Sequence, residues 1–206
     1  MKVKYPLIAA LLAMVSGLLV VTGWAFDLPA LMRILPFWLP MKANVGFCFV
    51  LIGATILLVH YPPPHSSAHV KRFCLYFGRL FALFVGGFNL LTLFEYAFSI
   101  DLGIDSWLFP VAADDNSPLN PLELKLDTAF PARIKLEAAV CLLLLSIASA
   151  IRSHNSAWRM AAASLGLLVA AISIASLSAY FSPELGQFGW FGYGMMRANA
   201  AVLLVL

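Results

Sequence analysis

The sequence predicts an all-α membrane protein. Six transmembrane helices are expected, paired as three parallel-repeat hairpins, with the N-terminus cytoplasmic and the last helix truncated. Three observations predict this. Hydrophobic residues make up 62% of the 206 residues and charged residues only 11%, against about 45–50% and about 25% in soluble globular chains. With a mean hydropathy of +0.91, such a chain cannot cover itself with polar groups in water. Second, the apolar residues fall into five runs of about 20 residues, the length that crosses a hydrocarbon core of about 30 Å, and a shorter sixth. Third, the charges between the runs segregate by side. The same composition excludes a disordered chain and a disulfide scaffold. The net charge of +3 is scattered along the chain, so no nucleic-acid partner is expected.

The first run covers 5–26. Lys2 and Lys4 resemble the basic region of a signal peptide, but the run is too long for one. It ends in Gly23-Trp24-Ala25-Phe26-Asp27, a poor cleavage site, so a retained helix is expected. The second run covers 41–60 and is followed by Pro62-Pro63-Pro64, a stiff turn. The third covers 73–98, the fourth 133–151 and the fifth 158–180. The sixth runs from about 195 to Leu206. Twelve residues rise only about 18 Å, so the expectation is a helix cut short, with a cytoplasmic output domain beyond residue 206; a short re-entrant segment is the other reading.

Lys2, Lys4, Lys71, Arg72, Arg79, Arg152 and Arg159 fall on one side of these spans, with no Asp or Glu among them. Arg33, Lys42, Lys125, Arg133, Lys135, Arg197 and all ten acids fall on the other. The positive-inside rule makes the first side cytoplasmic.

An internal repeat runs through the spans. The first helix ends Gly23-Trp24-Ala25-Phe26-Asp27, the third Glu95-Tyr96-Ala97-Phe98-Ser99, and the fifth Ala179-Tyr180-Phe181-Ser182. The second helix opens Met41-Lys42-Ala43-Asn44 and the sixth Met196-Arg197-Ala198-Asn199. The fourth opens Ile134-Lys135-Leu136-Glu137, a degenerate copy. Each unit crosses twice, so all three share one orientation, and the hairpins are expected at about 1–61, 70–152 and 157–206. Trp24, Tyr96 and Tyr180 are expected as ring anchors at the outer interface, with Lys42, Lys135 and Arg197 snorkelling to it. Two readings of the openings stand side by side. Asn44, Glu137 and Asn199 satisfy ordinary backbone and interhelical partners, or they converge below the cationic ring and bind a small ligand.

Other residues are weighed for chemistry. Glu95 sits near the apolar end of the third span, where an ionisable group is expensive and usually paired. Its candidate partners are Lys42, Arg133, Lys135 and Arg197, or interfacial water. Asn89 is expected to face a neighbouring helix. The long outer loop holds Asp101, Asp105, Asp114, Asp115, Glu123 and Asp127 against Lys125, and reads as a solvated acidic cap. Asp114-Asp115-Asn116 lacks the spacing of a calcium loop. A short amphipathic element is expected at 119–126. Cys48, Cys74 and Cys141 match no metal or redox spacing. No cofactor is expected: no pair among His60, His65, His69 and His154 has metal-site spacing, and none lies deep in a span. No nucleophile–base pair or phosphate-binding loop is present, so catalysis by these residues is not expected.

The motifs Asp27-Leu28-Pro29-Ala30-Leu31, Leu39-Pro40-Met41-Lys42-Ala43-Asn44, Cys48-Phe49, Glu95-Tyr96, Asp101-Leu102-Gly103-Ile104-Asp105 and Phe130-Pro131-Ala132-Arg133 are similar to those of a known group. The chain resembles, over nearly its whole length, the multi-pass N-terminal membrane regions of bacterial signalling proteins. Such regions precede PAS, histidine-kinase or diguanylate-cyclase (GGDEF) modules. Their even helices often open Met-Lys/Arg-x-Asn-Thr-Ala; here Val45-Gly46 replaces Thr-Ala and Glu137 replaces the Asn. The resemblance implies a sensory input domain in the bacterial inner membrane. Its partners are then the lipid bilayer, an unidentified small ligand and a second copy in a homodimer. The reading from a different class is a small transporter or permease-like subunit, which calls for ionisable or helix-breaking residues near the bilayer midplane; a ligand-free membrane anchor is the third.

Overall fold

A computed structural model describes residues 5–33, 40–105, 107–108, 133–151, 155–179, 196 and 198–205. The described elements are all helical: α1 (Tyr5–Ala25), α2 (Pro29–Met32), α3 (Ala43–His60), α4 (Ala68–Phe98), α5 (Leu136–Ala150), α6 (Ser156–Ala179) and α7 (Ala198–Val205). Four of them, α1, α3, α4 and α6, are long and apolar enough to cross a membrane. Helix α5 has 15 residues and rises about 22 Å, shorter than the fourth run promised. Its first three expected residues, Arg133 to Lys135, stay outside the helix, with Lys135 extended at φ −62°, ψ 145°. Helix α4 starts earlier than its apolar run. Ser67 caps it by accepting a hydrogen bond from the Val70 N–H, which draws the polar turn 68–72 into the helix.

Around a mostly apolar core, the chain exposes apolar surface that a water-soluble protein would bury. Large apolar side chains such as Leu11, Leu18, Phe73, Leu83, Leu90 and Leu167 are exposed. Asn44, Thr55, Asn89, Thr92, Glu95, Glu137 and Asn199 are buried. A bilayer makes that distribution favourable, because lipid tails solvate the apolar faces while polar groups find partners within the bundle.

The helices form an inner and an outer set. Over their most apolar stretches, 56% of α3 is buried, against 22% of α1, 28% of α4 and 17% of α6. Helix α3 packs against α1, α4 and α5, and α5 also packs against α4, α6 and α7. Helix α1 buries Ala10, Ala13, Gly17, Val20 and Gly23, one stripe at helical spacing. Gly17 lies so close to the Gly46 carbonyl that any side chain would strike it, and a Cβ on Gly53 would stand 2.6 Å from the Ala10 carbonyl. Small residues therefore let the two backbones touch. Gly86 likewise packs on Ser146 of α5, whereas Gly87 faces open space.

The ends of α1 and α4 are built alike. Asp27 and Ser99 both adopt left-handed backbone, at φ 52° and 53°. The next N–H in each case, of Leu28 and Ile100, donates back to Gly23 and Glu95 at 2.8 and 3.2 Å. Both helices thus close with the Schellman pattern that satisfies terminal carbonyls. The starts of α3 and α5 also match: Lys42 and Lys135 are extended N-caps whose carbonyls accept from Gly46 and Ala139.

Candidate functional site

Polar side chains gather where α4 ends and where α3 and α5 begin. Glu95 lies one turn before the end of α4, fully buried. Its Oε1 accepts from the Leu102 N–H at 2.8 Å. Its Oε2 lies 3.5 Å from Arg133 Nε. The same Nε donates to Asp105 Oδ2 at 3.1 Å, and Nη2 donates to the Ile100 carbonyl at 2.9 Å. Asp101, more exposed, stands 4.0 Å from Nη2. The guanidinium carbon also sits 5.4 Å from the Tyr96 ring centroid, within cation–π range.

Helix α3 is tied into this cluster from the other side. Lys42 Nζ donates to the Arg133 carbonyl at 2.8 Å. Asn44 Nδ2 donates to the Asp105 carbonyl. Four segments therefore meet: the start of α3, the end of α4, the turn 101–105 and the segment leading into α5. Gly103 makes that turn possible, because its φ of +69° is one that side chains rarely adopt. Its N–H donates to Asp101 Oδ1 at 2.8 Å. Burial pushes the Asp105 carboxyl above the ordinary carboxylate range. The hydrogen bond and charge of Arg133, and the charge of Lys42, pull the other way.

A second polar junction lies on α5. Glu137 Oε2 accepts from Ser176 Oγ of α6 at 2.6 Å and from the Met196 N–H at 3.0 Å. It joins α5, α6 and the approach to α7. Between the two junctions, Met41, Lys42, Val45, Lys135, Ala138 and Ala200 enclose a cavity of about 10 Å³, at the lower limit for a single water. The starts of α3, α5 and α7 do come together, but Asn44 and Glu137 turn to different partners. Asn199 is buried in the first turn of α7; Arg197 and Tyr180 lie outside the described residues.

No known protein family, curated protein or solved structure matches the chain. Its chemistry is read from the site alone.

Among the described candidate partners of Glu95, Arg133 is the one beside it. Lys42 and Lys135 do not snorkel to an interface. They are 6% and 8% exposed, and the buried carbonyl of Arg133 accepts the Lys42 ammonium inside the bundle. Trp24 and Tyr96 are half-buried rather than simple interface anchors. Trp24 Nε1 donates to the Met41 carbonyl at 2.8 Å and the Tyr96 hydroxyl to the Ile134 carbonyl at 2.9 Å. Each ring joins the end of one helix to the residue before the next cap. Asn89 meets the neighbouring helix as expected, donating to Cys48 Sγ at 3.6 Å and to the Val85 carbonyl. Cys48, Cys74 and Cys141 are buried free thiols.

Asp105 corrects the reading of a solvated acidic cap. It is 6% exposed, because Arg133 and Asn44 hold it against the bundle. Gly103 in the spacing Asp101-Leu102-Gly103-Ile104-Asp105 lets the chain fold back on itself, but nothing in that spacing points to Arg133 as the partner of Asp105. One oxygen each from Glu95, Asp101 and Asp105 lies within 4.8 Å of the other two, close enough to share a hard cation. Here the Arg133 guanidinium already supplies positive charge to the two buried members. The acids at 114, 115, 123 and 127, with Lys125, the element expected at 119–126, Arg152 and His154, lie outside the described residues. His60 Nε2 lies 3.1 Å from the Ser149 carbonyl, and His65 and His69 are exposed.

Proposed function

We propose that the chain is the integral-membrane sensory input domain of a bacterial signal-transduction protein. In this reading an outer or bilayer stimulus shifts the hairpins against one another, and the last helix passes the shift to a cytoplasmic histidine-kinase or diguanylate-cyclase module. The observation that carries the reading is the Arg133 cluster. It links α3, α4 and the entry to α5 through buried charge rather than apolar packing. A buried ion pair is costly to leave half-made. Such a contact therefore favours two discrete arrangements over a continuum, which a stimulus needs in order to shift a population.

The threefold hairpin repeat belongs to the same reading. The matching ends of α1 and α4, the matching caps of α3 and α5, and the paired ring-to-carbonyl contacts of Trp24 and Tyr96 support it. So does the resemblance of its motifs to membrane regions upstream of signalling modules. The transporter reading draws less support. Asn89, a polar residue well inside α4, makes contacts internal to α3 and α4.

The test is made in the full-length protein in its own membrane. Histidine phosphorylation and cyclic dinucleotide production are measured for wild type and for Glu95→Gln. One of the two outputs is expected, and Glu95→Gln should move it by about fivefold or more, the lower end of typical coupling energies, at unchanged membrane insertion. An output that ignores the substitution supports a ligand-free anchor. Solute uptake with neither output supports transport.

A further inference from the structure

A groove opens sideways between α4 and α6, with α5 as its floor, on the part of the bundle remote from the Arg133 cluster. Its volume is about 620 Å³. Leu83, Gly87 and Leu90 of α4 form one wall, Ile147 of α5 the floor, and Trp158 of α6 closes one end. Arg79 stands at that end too. Gly87 is what keeps the wall open, since a Cβ there would meet nothing within 4 Å. From Arg79 to Leu90 the trough runs about 16 Å along α4.

Arg79 decides what fits. It lies sixteen residues before Glu95 in one continuous helix, about 24 Å along the axis. That is within a hydrocarbon core of about 30 Å. It is exposed, and among the described residues it makes no ion pair or hydrogen bond. A guanidinium at that depth reaches for an anion at the headgroup level. Its planar fork suits a phosphate, and Trp158 beside it suits the same boundary. Ser146 donates its hydroxyl to the Leu143 carbonyl, and the rest of the lining beyond Arg79 and Trp158 is aliphatic or glycine, which suits a hydrocarbon chain and not a free phosphate.

We propose that this groove binds one anionic phospholipid, with its phosphodiester on Arg79 and one acyl chain laid along Gly87 towards Leu90. The site is independent of the sensory reading. Pockets between transmembrane helices with a cation at the headgroup end are a recurrent way of holding such lipids.

The test uses the full-length protein, purified in mild detergent and given phosphatidylglycerol or phosphatidylcholine with the same acyl chains. Retained lipids are counted by native mass spectrometry. One phosphatidylglycerol should be held in preference to phosphatidylcholine. Arg79→Gln should cut that preference about fivefold, the equivalent of one cation–headgroup contact. Gly87→Leu, whose side chain would fill the trough, should abolish retention of both lipids while helicity and thermal midpoint stay at wild-type values. Equal retention of the two lipids in wild type overturns the proposal. So does a preference that survives Arg79→Gln, or lipid retained by a folded Gly87→Leu protein. A dimer that Gly87→Leu dissociates, with lipid retention unchanged, would assign the groove to a second copy and overturn it as well. Arg79 is exposed, so Arg79→Gln alone decides the matter should the leucine variant fail to fold.

Discussion

Arg133 holds the outer cluster together, and its surroundings fix what its loss costs. Its side chain is 6% exposed, with Glu95 at 0% and Asp105 at 8%. Arg133→Ala would leave two buried carboxylates without their guanidinium. Removing one partner of a buried pair costs about 3–5 kcal/mol, so a thermal midpoint well below wild type is expected. Combining it with Glu95→Gln should recover part of the loss, and a double variant no more stable than Arg133→Ala would count against the pairing. Asp105 adds a dependence on pH. Its folded pKa is raised, burial outweighing Arg133, so the folded protein holds this proton more tightly than the unfolded chain does. The resulting stability is fully present below the unfolded value, about 3.9, and is lost as pH rises through the raised folded value. The midpoint of wild type relative to Asp105→Asn should therefore climb as pH falls and level off below about 3.9. A difference that stays flat would remove Asp105 from the account. Glu95 was legible in the sequence because an acid at the end of an apolar run needs a partner. Asp105 was not, because an aspartate among loop acids looks solvated until Arg133, 28 residues on, is known to fold over it.

At the scale of elements, apolar run length located the helices well and local polar chemistry moved their ends. The first and second runs, 5–26 and 41–60, became Tyr5–Ala25 and Ala43–His60. The third missed the turn 68–72, since hydropathy is blind to a serine cap. The fourth lost Arg133 to Lys135, since charged side chains engaged in a buried network hold their backbone extended. Packing between elements was less legible. Nothing in α1 alone says that Gly17 rather than Gly23 meets a backbone carbonyl of α3. That contact makes a prediction. Gly17→Leu would drive a side chain into the Gly46 carbonyl and Val50, so the α1–α3 pair must separate, at a cost of about 1–3 kcal/mol or more. Gly166→Ala on α6 is the control, since a Cβ there meets nothing within 4 Å. Thermal unfolding of the two variants in the same detergent reads the comparison, and equal midpoints would deny the close α1–α3 contact.

For the whole molecule, the decisive property is which end of the bundle faces which compartment. The cations Lys71, Arg72 and Arg159 lie at the end opposite the Arg133 cluster. The acids Asp27, Asp101 and Asp105 lie at the cluster end. The helix order alternates these ends consistently: α3 runs from the cluster to the turn at 61–67, and α4 runs back. Orientation therefore follows from a single loop. The positive-inside rule predicts a cytoplasmic turn at 61–67 and an external turn at 99–105. The three native cysteines are buried, so they give little background to a thiol reagent. His65 and Leu102 are both exposed and sit at opposite ends. On intact cells a membrane-impermeant maleimide should label Leu102→Cys and spare His65→Cys, which should react only once the membrane is opened. The reverse pattern would turn the molecule over. It would then put the Arg133 cluster on the cytoplasmic side, where an external stimulus could not reach it, and the sensory reading would lose its entry point.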